Sequence, residues 1–362
     1  MRPTRRLREL LILVMGCVVA ALLSPHLMAD DLRIGIIGLD TSHSEQFTLR
    51  LNDPANPNHI PGARVVAAYP GGSPDIEESK TRIDGFTATV RDKFGVRIVG
   101  SVAEACKDVD AVLLLSLEGR PRLEQMKQII AAGKPVFMDK PVAASLKDVV
   151  EIYKLAAAAQ VPVFSASAVR WYPGVLEVAN AEPTPARGVI SYGPAHVLPF
   201  HPDLFFYGIH PTEALFTVMG PGCLSVVRTT TPSESVVTGV WAGGRTGTLQ
   251  AIHEGAMSYK LIRFGDKQIT EQKSEGDYTP MLREIVKFFQ SKQPPVSPKQ
   301  TLEIYAFMAA AEESKNRDGG RVTLREVMVK AGAPEAWLPE DGKVKHEAPK
   351  SVPKGLPKPG GS

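Results

Sequence analysis

Residues 34–43 read Ile-Gly-Ile-Ile-Gly-Leu-Asp-Thr-Ser-His, and the fold turns on how they are read. A short apolar strand runs into Gly38, and a helix is predicted to begin near Ser42. Strand, glycine turn and helix in that order make the phosphate-cradling corner of a doubly wound sheet, whose fingerprint is Gly-x-Gly-x-x-Gly. Here the three positions fall on Gly38, Asp40 and His43, so the second and third glycines are missing. The context predicts a nucleotide site; the residues predict that binding there is altered or absent. A side chain at Asp40 obstructs the backbone's approach to pyrophosphate, and its charge opposes phosphate at a helix N-terminus. Thr41, Ser42 and His43 are substitute phosphate donors on one reading. On the other, Asp40-Thr41-Ser42 is a plain turn and helix cap.

Downstream, the alternation continues. Leu32–Ile37, Arg64–Tyr69, Val96–Val99, Ala111–Leu115, Val136–Met138 and Val163–Ser165 read as strands. Ser42–Leu51, Val102–Cys106, Arg122–Ala132 and Leu146–Gln160 read as helices between them. Ser42 with Glu45 forms a capping box, and Gly133 closes the helix before it. The fully apolar Ala111–Leu115 belongs at the centre of a parallel sheet. This pattern predicts an α/β, Rossmann-type domain with a doubly wound parallel sheet over residues 30–168. Past residue 170 the texture changes. Leu224–Thr231, Ser235–Trp241, Gly247–His253 and Lys260–Phe264 predict a largely antiparallel open sheet. With helices at Thr279–Ser291 and Pro298–Lys315 and a last strand near Arg321–Thr323, they form an α+β domain over residues 169–337. Residues 338–362, rich in Lys, Pro and Gly, are predicted to be a disordered tail.

The chain has 362 residues, 43% hydrophobic and 22% charged, which suits two globular domains. Residues 1–29 stand apart. Arg2, Arg5, Arg6 and Arg8 precede the apolar run Leu10–Leu23, and Ala29 offers a cleavage point. That is the order of a secretory signal, and the run falls short of the roughly 20 residues of a membrane span. Export to the periplasm or beyond is expected, by the general route or, from Thr4-Arg5-Arg6-Leu7, by the twin-arginine route. An uncleaved anchor is the alternative. Without these residues the chain carries 38 basic and 38 acidic side chains, which gives no support for nucleic-acid binding. Cys106 and Cys223 have no metal-type spacing and read as two buried thiols, with a disulfide as the alternative.

Several segments, in order, resemble the Gfo/Idh/MocA family of oxidoreductases over roughly residues 32–330. They are Asp110-Ala111-Val112 entering the apolar strand, Ala132-Gly133-Lys134-Pro135 leading to Asp139-Lys140-Pro141, Gly208-Ile209-His210 with Glu213, and Glu313-Ser314 with Gly320 and Val322. The resemblance implies a cofactor, NAD or NADP, held near Gly38, Asp40–His43, Ser116, Arg122, Lys140 and Pro141. It implies Lys140 and His210 as the catalytic pair beside a sugar, polyol or related carbohydrate, with Arg170, Trp171 and Glu213 also facing that substrate. A hydroxyl losing hydride must also lose a proton, so a base within hydrogen-bond reach is needed, and a nearby cation steadies the alkoxide. The plainer readings are a surface lysine at a strand end and a histidine at a helix entry. The family also implies a homo-oligomer paired through the second sheet.

Departures from the family pattern cluster on the cofactor side. The second strand ends Tyr69-Pro70-Gly71, with no ribose-binding acid before Asp75. Arg122 stands where a histidine is usual; with Arg120 it would offset Asp40, bind an anionic substrate, or simply open a solvated helix. Phe206 replaces the acid four residues before His210, and Asp203 is the nearest stand-in to orient the imidazole. His43, His196, His201 and His210 match no zinc motif, so no metal is expected. Two rival functions follow: a non-redox carbohydrate enzyme with a recycled cofactor, and a carbohydrate-binding pseudoenzyme that has lost the dinucleotide.

Overall fold

Six parallel strands, interleaved with helices, carry the first half of the computed structural model, which describes residues 31–339. The signal-like segment 1–29 and residues 340–362 of the Lys/Pro/Gly tail lie outside the described residues. In chain order the elements are β1 (Leu32–Ile37), α1 (Ser42–Asn52), β2 (Ala63–Tyr69), α2 (Glu77–Asp92), β3 (Arg97–Ile98), α3 (Val102–Ala105), β4 (Ala111–Leu114), α4 (Arg122–Ala131), β5 (Val136–Met138), α5 (Leu146–Ala158) and β6 (Val163–Ser165). The sheet order is β3-β2-β1-β4-β5-β6, all pairs parallel. Every residue of β4, β5 and β6 is buried, as helices on both faces require. The direction of winding reverses between β1 and β4. In this class of sheet the crevice beyond the strand ends at that reversal is where ligands bind.

A short turn of 3-10 helix, Ala168–Trp171, leads into the second half. There follow α6 (Pro173–Ala179), β7 (Gly188–Pro194), α7 (Ile209–Met219), β8 (Cys223–Thr230), β9 (Glu234–Trp241), β10 (Thr246–Ile252), β11 (Lys260–Phe264), β12 (Ile269–Glu271), α8 (Thr279–Ser291), α9 (Pro298–Lys315), β13 (Val322–Thr323) and α10 (Leu324–Lys330). The second sheet runs β12-β11-β7-β10-β9-β8-β13. Its pairings are antiparallel except β7 with β10. Strict alternation of buried and half-buried residues along β9 shows one face packed and the other less covered.

Two features of the packing fix the site. Helix α8 follows the second sheet in sequence but packs on the first. Its Met281, Leu282, Ile285 and Phe289 join one core with Ile34, Ile36 and Phe47, and the Phe288 ring meets Phe164 edge-on at 4.8 Å. Helix α9 lies against β8 and α5, and its Tyr305 hydroxyl accepts a 2.7 Å bond from the Val142 N–H, just past Lys140-Pro141.

Two local details differ from the sequence expectation. Thr41, not Ser42, caps α1, with its hydroxyl oxygen accepting from the His43 N–H. Helix α2, Glu77–Asp92, is absent from the helices read from the sequence; its buried residues are Ser79 and Val90, too few to mark an apolar face. Both cysteines are buried free thiols.

Candidate functional site

The first βα turn is built around Gly38, whose φ of +94° favours glycine, and a Cβ there would strike the Ser116 backbone. Asp40, two residues on, is 1% exposed. Its carboxylate accepts the Leu117 N–H at 3.0 Å and the Ser79 hydroxyl at 2.7 Å. Burial pushes this carboxyl above its ordinary range, although Ser79, Leu117 and the Arg122 charge pull the other way.

At the end of β5, Asp139 takes a hydrogen bond from the Lys140 N–H at 2.8 Å and pairs with Nδ1 of His43. Burial alone would raise the Asp139 carboxyl. The His43 bond and charge, Lys140 and Arg122 hold it below the usual range instead. The His43 ring stacks on Phe47 at 5.1 Å and meets Tyr278 edge-on at 4.6 Å. The third fingerprint position has thus become an oriented imidazole. The Lys140-Pro141 peptide is cis. The Lys140 ammonium lies 4.8 Å from the Tyr207 ring centre and 5.3 Å from that of Phe206. Burial lowers its pKa, against the opposing pull of Asp139 and Glu78.

His210 comes from the first turn of α7. Its Nδ1 meets the Ser167 hydroxyl at 2.6 Å, and Tyr207 and Tyr259 flank the ring edge-on. Burial, then the charges of Lys140 and His43, push its pKa well below the imidazole range, with Asp139 opposing. Lys140, His210, Thr41, Ser42 and His43 therefore meet in one cavity of about 210 Å³. Its walls also carry Asp139, Ser167, Tyr172, Tyr207, Tyr259, Tyr278 and the ion-paired Glu78 and Arg82. Tyr172 adjoins Arg170 and Trp171, which the sequence does single out; Tyr207, Tyr259, Tyr278, Ser167 and Arg82 were not picked out. They come from five segments far apart in the chain and belong to no motif.

Other expected site residues lie elsewhere. Arg122 was placed against the cofactor or an anion, or at a solvated helix start; it is fully enclosed. Its guanidinium donates to the carbonyls of Leu114 at 3.2 Å, Asp139 at 2.6 Å and Ser116. Burial weakens its hold on the proton, opposed by Asp139, Tyr305, Asp40 and Glu118. The Ser116 hydroxyl donates to Gln125. Arg170 and Glu213 form a buried ion pair at 2.6 Å beneath the cavity rather than facing it, and Trp171 packs on the first-sheet core. Gly38 and Pro141 shape the backbone without lining the cavity. Asp203 does not orient His210, because Arg228 and Lys315 hold it at 2.6 and 2.7 Å. His201 accepts from the Gly119 N–H at 2.9 Å, and His196 packs on Tyr207.

The depressed His210 fixes a pH response. A neutral buried imidazole stays unprotonated below pH 6.5, where its unfolded counterpart takes up a proton, so stability falls with acidification. His201, also depressed mainly by burial, adds in the same sense. Between pH 7 and 5, urea denaturation should show this loss, and His210→Asn should reduce it. A pH dependence unchanged by His210→Asn would contradict the assignment.

A nicotinamide dinucleotide needs the crevice between the β1, β2 and β4 loops as well as this cavity. In this chain the Asp40 carboxylate and its partners take up the pyrophosphate corner, so the residues present do not fit the group. The cavity is also smaller than the roughly 300–1,000 Å³ of drug-sized ligand pockets.

Comparison with known proteins places this geometry. Residues 32–167 match the profile of an oxidoreductase family, Gfo/Idh/MocA, with an NAD-binding Rossmann fold. No curated protein sequence matches significantly. Among solved structures, scyllo-inositol dehydrogenase from Lactobacillus casei superposes with a TM-score of 0.67 at 14% identity, over 81% of this chain and 98% of that one. Myo-inositol dehydrogenase from Lactobacillus casei, in complex with NAD(H) and myo-inositol, gives 0.65 at 15%, over 81% and 96%. Myo-inositol 2-dehydrogenase from Lactobacillus plantarum gives 0.66 at 16%, over 81% and 99%. At these identities the likeness is one of fold.

Proposed function

Since residues 32–167 match the Gfo/Idh/MocA oxidoreductase profile, with its NAD-binding Rossmann fold, we propose that this chain takes a sugar, polyol or related carbohydrate into the Lys140–His210 cavity and transfers a proton on it. One observation carries the proposal: two nitrogen bases, one after the first sheet's β5 and one opening α7, both with lowered pKa, line one small polar cavity walled by tyrosines. Tyrosine rings offer flat apolar surface and hydroxyl partners together, which suits a ring or chain of CH–OH groups. A lysine that gives up its proton more easily is a better base near neutral pH, and a neutral imidazole accepts a proton. The inositol dehydrogenases of the same fold support the substrate class. The buried Asp40 carboxylate favours a redox-neutral form of this chemistry, and the second reading is carbohydrate binding without a dinucleotide.

The test is a thermal-shift and calorimetric panel of inositols, hexoses, alditols and sugar acids against the full chain. At 100 times Kd a bound ligand should add about 2.7 kcal/mol of stability, enough to raise the melting temperature clearly. Tyr207→Ala and Tyr259→Ala should weaken binding. A panel with no binder, or a binder indifferent to both variants, sinks the proposal.

A further inference from the structure

We propose that this chain has replaced its dinucleotide with its own side chains. Asp40, Ser73, Ser79 and Glu118 fill the cofactor crevice, and the protein folds and binds its ligand without NAD or NADP. The inference goes beyond the substrate reading and does not rest on it.

The crevice lies at the β1/β4 reversal, between the loops that follow β1, β2 and β4. All three loops are tied to one another across it. The Asp40 carboxylate of the β1 loop spans the reversal to the Leu117 N–H of the β4 loop. Its second oxygen takes the hydroxyl of Ser79 at the start of α2, and Ser79 in turn accepts the Ser73 N–H at 2.8 Å. The Ser73 hydroxyl donates to Glu118 at 2.9 Å. Since β1 lies between β2 and β4, this last bond passes over the end of β1, where a dinucleotide would run. Outside it, Arg120 pairs with Asp75 through two bonds of 2.7 and 2.9 Å. Ile76, Leu117 and Phe206 close the inner side as a small apolar cluster.

The four residues that fill the crevice are buried, and among them are two carboxylates. The donors they occupy, the Leu117 N–H after β4 and the hydroxyls of Ser73 and Ser79 after β2, are of the kind an anionic phosphate uses. A carboxylate carried on the chain competes for them without losing the translational freedom that a free ligand loses on binding. The plug also accounts together for three departures read in the sequence. Asp40 is the internal anion. The β2 end needs no ribose acid because its loop bonds to Glu118. Phe206 packs in the seal instead of orienting His210.

Native mass spectrometry of freshly purified full-length protein, with calorimetric titration by NAD⁺, NADH, NADP⁺ and NADPH, tests this. We expect no retained dinucleotide and no saturable binding up to about 1 mM. Retained dinucleotide, or wild-type binding with Kd below about 100 µM, overturns the proposal. Asp40→Gly and the double variant Asp40→Gly/Glu118→Gln remove the internal anions and should gain at least tenfold in dinucleotide affinity. If both variants fold, as judged by a cooperative melt, and neither gains affinity, the assignment of these carboxylates as the plug is overturned. The carbohydrate panel reads the other cavity, so its outcome and this one are separable.

Discussion

Arg122→Ala should cost about 3–5 kcal/mol of unfolding free energy, a large effect for one side chain. The guanidinium sits between the ends of β4 and β5; it shares the Leu114 carbonyl with the Asp139 N–H and satisfies the carbonyls of Ser116 and Asp139. It is fully buried, and the Asp139 carboxylate beside it is kept ionised partly by its charge. Truncation leaves those carbonyls unsolvated and opens a cavity among packed strands. Each orphaned buried group costs about 1–3 kcal/mol. Lysine should rescue poorly, because a single ammonium cannot reach three diverging acceptors as a planar fork does. Urea denaturation followed by circular dichroism measures the loss. A change of under about 1 kcal/mol would mean that water or a shifted side chain replaces the guanidinium, and the structural role would fail.

Lys140→Met should lower turnover of a bound carbohydrate by about 10²–10⁴-fold, the usual share of a positioned acid–base group. Overall stability should hold or rise. The folded lysine has a lowered pKa, so at neutral pH keeping it charged works against folding, and that cost fades as pH climbs through the lowered value toward 10.5. Activity that needs the neutral amine should therefore rise with pH at a point below 10.5. Lys140→Arg separates two roles. Arginine keeps the cation but does not deprotonate in proteins, so it preserves alkoxide stabilisation and abolishes proton removal. Retention of activity within tenfold in Lys140→Arg would sink the base role and leave an electrostatic one.

The site was legible where it is local in sequence. Asp139-Lys140-Pro141 closes a strand, and Gly208-Ile209-His210 opens a helix, and the family resemblance of these short segments is what singled out Lys140 and His210. Asp40 was legible as an obstruction but not as a plug. Its partner Ser79 lies 39 positions away in a helix whose apolar pattern is weak, and Leu117 lies 77 positions away. Arg122 read as surface or phosphate-facing because most arginines are solvated; its burial follows from the three carbonyls it meets. The tyrosine walls come from the turn before α7, the β10–β11 connection, the loop before α8 and the loop before α6, and no spacing rule joins them.

By itself the sequence determined the elements and their class. Alternating apolar strands and helix signals, with fully apolar β4, required a doubly wound parallel sheet, and the later period-two strands required a second, mostly antiparallel one. These signals arise from side-chain periodicity along a few turns or residues, so they survive without knowledge of the partner. The tertiary structure alone decided that α8 returns to the first sheet, that His43 pairs with Asp139, and that the crevice beside Gly38 is filled from within. Each depends on which polar groups meet after the chain has crossed tens of residues. Buried polar groups must be satisfied, but the sequence does not say by whom.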